Sequence, residues 1–169
     1  MDSADIVSMI GNLSQSLVQV ETLFVGLGFL LGIVLMITGI LKLKNMNGPS
    51  GGGMAGPMAF LLGGVALVFL PTMLGALSNT VFGNGNILQY IQYDPYSIYN
   101  SMGIMVQTAG LIWFVRGTML LVQSSDPGSE GGPKGLVFVI AGILAMNFGS
   151  TVSAVNYIVG RLLSLTGLS

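Results

Sequence analysis

No cysteine and no histidine occur in these 169 residues, and only 7% of the residues are charged. Without cysteine there is no disulfide framework, and without either residue the commonest metal ligands and the commonest general base are missing. Carboxylates are nearly as scarce. Asp94 is the only acid between Glu21 and Asp126, so no acid–base pair can be assembled locally. The glycine-rich stretch "GPSGGGMAG" lacks the Lys-Ser/Thr ending of a phosphate-binding loop. These absences argue against an enzyme, and no cofactor is expected beyond contacts with phospholipid. A net charge of −1 supplies no basic field, so sequence-specific nucleic-acid binding is not expected either. The opening "MDSADIVSM" holds two acids and no Lys or Arg, which is unlike a cleavable signal peptide.

Apolar sequence is what the chain has in quantity. Hydrophobic residues make up 52% of it, and the mean hydropathy of +0.83 belongs to the membrane class. Four stretches stand out, at residues 22–41, 58–78, 101–123 and 135–160. Each reaches the ~20 residues with which a helix crosses ~30 Å of hydrocarbon. Runs such as "LGFLLGIVLMITGIL" do not alternate, which excludes barrel strands. The expected fold is therefore an all-α integral membrane protein with four transmembrane helices. None of the four stretches contains an acid, which argues against proton-coupled transport.

The chain also reads as a duplication. Residues 22–83 lie over residues 100–161 without a gap at an offset of 78, matching Gly32 with Gly110, Gly39 with Gly117, Phe60 with Phe138, Gly64 with Gly142 and Ala76 with Ala154. This predicts two tandem membrane hairpins, 22–83 and 100–169, joined by a tyrosine-rich linker at 84–99. Pro71 falls inside the second span and aligns with Gly149, so both hairpins weaken their second helix at the same depth, with a bend expected there. Ahead of the hairpins, Ile6, Ile10, Leu13, Leu17, Val20 and Phe24 follow a 4-3 spacing that makes residues 1–21 an amphipathic helix. Such a helix suits the membrane interface or a partner subunit.

Lys42, Lys44, Arg116 and Lys134 cluster toward the two hairpin loops, and Arg161 stands alone on the other side. The positive-inside rule then puts both loops in the cytoplasm and both termini in the periplasm of a bacterial inner membrane. Contact with lipid phosphate or a polar lumen is expected for these five cations. Arg116 lies about 10 Å inside the third span, where it must snorkel, line a cavity or meet a partner's carboxylate. Tyr90, Tyr93, Tyr96 and Tyr99 gather in the linker, as in an aromatic belt at the membrane boundary or a subunit contact.

Glycine supplies the candidate packing surfaces. Gly103, Gly110 and Gly117 recur every seven residues in the third span, Gly135, Gly142 and Gly149 in the fourth, and Gly32 and Gly39 in the first. Seven residues return to nearly the same helix face, and small residues let neighbouring backbones approach where no hydrophobic drive exists. The neighbour is either another helix of the chain or another subunit.

A first span ending in "GILKLK", a proline inside the second, and a final hairpin reading "GPKGLVFVIAGILAMNFGS" resemble the small inner-membrane proteins of type IVB secretion and conjugal-transfer machines, in particular the IcmC/DotE group and its TraQ-like relatives. The resemblance implies a non-enzymatic structural subunit that acts through contacts with other secretion or conjugation subunits, as a homo- or hetero-oligomer in membrane lipid. Each hairpin is also similar to a conjugative pilin, although the first loop departs from one in length and glycine content. That likeness implies a polymerising subunit of an extracellular filament, and a small pore-forming protein is the remaining expectation.

Overall fold

In the computed structural model, which describes residues 3–45, 53–83, 98–126 and 128–166, the chain is all-helical. Among the described residues six helices follow one another: α1 Ser3–Lys44, α2 Ala55–Val68, α3 Leu70–Phe82, α4 Ile98–Gln123, α5 Gly132–Met146 and α6 Phe148–Thr166. α1 runs through residue 21 without interruption, so the amphipathic stretch and the first apolar span form one rod of 42 residues, about 63 Å long. It ends with Lys42 and Lys44 in its last turn, where cations complement the helix dipole. Gly83, in the left-handed region at φ 72°, stops α3, and its N–H donates to the Asn79 oxygen.

The second and fourth expected spans are not single straight helices. α2 and α3 meet at 95° across Phe69, and α5 and α6 meet at 96° across Asn147. The bend therefore falls two residues before Pro71 and Gly149. Pro71 sits in the first turn of α3, where its missing N–H would have had no helical partner. Straight, α2 and α5 measure only about 21 and 22 Å, short of the ~30 Å hydrocarbon layer. Among the described residues two helical stretches, Ser8–Lys44 and Ser101–Gln123, are long and apolar enough to cross a membrane, and the number rises to four if each bent pair counts as one span.

The helices form two antiparallel hairpins, α1 with α2 and α4 with α5. α4 lies parallel to α1, with Gln107 beside Glu21 and Asp126, just beyond its end, beside Lys42. At the centre, Leu67, Leu70, Leu74, Leu111, Phe114, Val115, Ile143 and Met146 form one buried cluster. α3 turns its Leu70–Leu74 face into that cluster. α6, its counterpart, is exposed along nearly all its length.

Candidate helix-packing interfaces

Each hairpin is closed by glycines that face each other. A methyl group on Gly32 would sit 2.8 Å from the Gly64 oxygen, and one on Gly64 would sit 2.8 Å from the Gly32 oxygen. The second hairpin repeats this 78 residues later: Gly110 meets the Gly142 oxygen at 2.8 Å, and Gly142 meets the Gly110 oxygen at 2.7 Å. Backbone occupies the space of a side chain on both sides, so only hydrogen fits. The approach also brings each Cα–H toward a carbonyl oxygen, a weak but recurrent contact between close helices.

One turn-pair further along, the hairpins differ. A methyl on Gly117 would meet the Gly135 oxygen at 2.8 Å, and one on Gly135 the Gly117 oxygen at 3.0 Å, which makes a second reciprocal pair. In the first hairpin Pro57 stands where Gly135 stands, and Gly39 instead meets the Leu61 side chain and nitrogen at 3.0–3.1 Å. Gly103 is half-buried on α4. Gly149 leaves the stripe, because the bend at Asn147 carries it away from α4 and a methyl there would meet nothing within 4 Å. Gly63 stands at the seven-residue step from Gly56 in the second apolar stretch, and a methyl on it would collide with the Val122 side chain, making it the glycine at which α2 meets α4.

The cations separate into different roles. Lys42 forms an ion pair with Asp126 of the α4–α5 loop and lies over the Phe60 ring at 3.8 Å from its centroid. It thus joins the two hairpins at their loop ends. Arg116 is exposed on the outer side of α4, with its guanidinium 5.5 Å from the centre of the Phe138 ring, which in turn meets Trp113 edge-on at 6.4 Å. A guanidinium over an aromatic face is attracted by the ring quadrupole. It therefore points away from the buried core of the chain. Lys44 and Lys134 are exposed near the same loop ends, and Arg161 is exposed on α6, opposite its Val152–Val155–Val159 face. Tyr90, Tyr93 and Tyr96 lie outside the described residues, as does the side chain of Tyr99.

Buried polar groups mark the contact between the hairpins. Ser78 of α3 donates to the Asn147 side-chain oxygen at 2.6 Å, and the Asn147 amide donates to the Ile143 oxygen at 2.9 Å. Thr151 donates to the Leu144 oxygen at 2.8 Å. Thr151 thus supplies a donor to the Leu144 carbonyl in the last turn of α5, while the Ile143 carbonyl also accepts the Asn147 backbone N–H at 3.1 Å. Gln107 donates to Glu21 at 3.4 Å. Glu21 lies within the long candidate span of α1 and just before the apolar stretch that begins at residue 22, so the absence of acids noted for the apolar stretches does not extend to the whole rod. Thr108 and Thr118 return their hydroxyls to the Ile104 and Phe114 oxygens of their own helix. No buried side-chain nitrogen or oxygen lacks a partner among the described residues.

Set against known protein families, curated proteins and solved structures, the chain has no significant match.

Proposed function

We propose that the chain is a non-enzymatic structural subunit of a type IV secretion or conjugal-transfer machine in the bacterial inner membrane, and that it works by packing its helices against other subunits. The observation that carries this reading is the division of its surface. The glycine pairs close each hairpin on itself, while large apolar side chains such as Leu23, Leu30, Trp113, Phe148 and Val155 remain outward over the whole length of the bundle. Apolar surface on this scale marks contact with lipid or protein. The likeness of "GILKLK" and the final hairpin to IVB-type inner-membrane proteins supports the machine as the setting. Lys42, Lys44 and Lys134 near the loop ends support cytoplasmic loops and periplasmic termini.

Affinity purification of the tagged full chain from its own host tests the role. Envelope proteins should co-purify, and deletion of the gene should abolish transfer. Recovery of the chain alone with transfer unaffected would overturn the reading, recovery in filaments sheared from cells would replace it with a pilin-like one, and ion leakage on expression alone would replace it with a pore. Single cysteines at Ser50, Ser97 and Ser129 test the topology. An impermeant thiol reagent should label Ser97→Cys only, and labelling of the other two from outside would reverse the orientation.

A further inference from the structure

Inside one molecule the first hairpin covers the second through two different surfaces. The covering side, on the first hairpin, includes Gly28, Gly63, Leu70, Leu74 and Ser78. The covered side, on the second, includes Gln107, Leu111, Val115, Val122 and Asn147. Because the hairpins are related by 78 residues, each must own both surfaces, and one of each is left over. On the second hairpin Phe148 and Val152 replace Leu70 and Leu74; they are 37% and 38% exposed where their counterparts are 0%. On the first hairpin Ile33 and Ile37 replace Leu111 and Val115, and they are 37% and 53% exposed where their counterparts are 0% and 9%. The internal contact thus has one unused half at each end of the molecule.

We propose that a second copy of this chain fills these halves, the covering side of one molecule's second hairpin docking on the covered side of the next molecule's first hairpin. This deepens the reading of the chain as a contact subunit, on which it rests, by naming the partner. The backbone geometry within each hairpin is duplicated, since the glycine pairs close both alike and the right-angle bends that present α3 and α6 agree within a degree, while Val106 and Ala141 stand where Gly28 and Gly63 meet the second hairpin. α6 is amphipathic, with Phe148, Val152, Val155 and Val159 on one face, and the first three of these correspond to Leu70, Leu74 and Leu77, by which α3 enters the core. Along the helices the outer contact is more apolar than the inner one, since Leu23, Leu30 and Ile40 replace Ser101, Thr108 and Thr118, whereas at its loop end the ion pair is absent and a cation remains, since Leu120 replaces Lys42 and Lys44 replaces Val122.

Such a contact is heterologous, so repetition makes a ring or an open filament rather than a closed dimer. The inner contact is also staggered. Where α4 runs beside α1, the pairs Lys42–Asp126 and Glu21–Gln107 are 84 and 86 positions apart rather than 78, a displacement of about 9–12 Å along these two helices. A ring requires helix tilt to absorb that step, and a filament lets it accumulate.

Because the chain has no cysteine, each introduced thiol is unique. Ser78 and Asn147 touch within one molecule, and their counterparts are Asn156 and Phe69, both exposed. Gly28 and Val115 likewise correspond to Val106 and Ile37. The full-length chain, carrying two different tags, is expressed in membranes without other machine components and treated with a short bis-maleimide. Ser78→Cys with Asn147→Cys should bridge inside one chain. Asn156→Cys in one copy should link to Phe69→Cys in another, and Val106→Cys to Ile37→Cys, several-fold above links to Met58→Cys on an outward face of α2. Formation of the internal bridge with neither external link would show that lipid covers these faces, and would overturn the proposal. Failure of the internal bridge, or dominance of Asn156→Cys self-links, would overturn it as well. A chain that links to itself but brings down no envelope protein would fail the machine reading alone.

Discussion

Phe69 and Asn147, 78 residues apart, occupy the same right-angle break in the two halves of the chain. Their backbone angles are φ −99°, ψ 32° and φ −101°, ψ 39°. Neither residue is a helix breaker, and each follows a helix that stops at the same point, Val68 or Met146. The same geometry on dissimilar side chains, before a buried α3 and an exposed α6, shows that neither the residue at the break nor burial of the helix after it is needed for the bend. α2 and α5 are held by glycine contacts before the break; after it α3 buries Leu70 and Leu74, whereas α6 leaves Phe148 and Val152 partly exposed.

The bend is measurable as a distance. Spin labels on Met58→Cys and Asn79→Cys flank Phe69 by similar lengths of helix. A backbone separation of about 21 Å is expected at a right angle, against about 32 Å for a straight helix. Pro71→Ala should leave the shorter distance unchanged, because the proline lies inside the first turn of α3 rather than at the break.

Gly110→Ala and Gly142→Ala should each lower the unfolding midpoint in detergent, by about 1–3 kcal/mol of stability, because a methyl at either site meets backbone that cannot yield. Gly32→Ala and Gly64→Ala should behave alike. Gly149→Ala meets nothing within 4 Å and should be neutral or stabilising, by up to about 1 kcal/mol from helix propensity. Equal losses at Gly149 and Gly142 would mean that the heptad stripe, not the bend, sets the contact.

Asn147→Leu removes both the acceptor for Ser78 and the amide that holds the Ile143 oxygen. A loss of about 1–2 kcal/mol is expected, with more protease cleavage at the α5–α6 junction. Asn147→Asp keeps the acceptor and loses the amide donor, so it should fall between.

Lys42 and Asp126 are each partly exposed, so their pair should contribute no more than about 1 kcal/mol, and less at high salt. A double-mutant cycle with Lys42→Met and Asp126→Asn measures it. Arg116→Lys keeps a cation over Phe138 and should preserve recovery from membranes, whereas Arg116→Glu places an anion against the ring face and should reduce it.

Helicity, apolar stretches of membrane-spanning length and the 78-residue register in which the glycine pairs and bends recur were legible in the sequence, because hydropathy and small-residue spacing act locally and add along the chain. So were the glycines at which the hairpins close, since Gly110 and Gly142 hold the same register as Gly32 and Gly64. Tertiary structure alone decided where those patterns stop. Gly149 continues the seven-residue stripe but lies past a break whose depth Pro71 and Gly149 indicated to within two residues, and whose right angle they did not. It also decided which duplicated faces are buried: Leu74 and Val152 are equivalent in sequence, yet only Leu74 has a second hairpin to lie against. The pairs Lys42–Asp126 and Glu21–Gln107 arise the same way. Contacts between residues more than eighty positions apart depend on how far α4 slides along α1, and side-chain packing across the two hairpins sets that slide, with no spacing along either helix to record it.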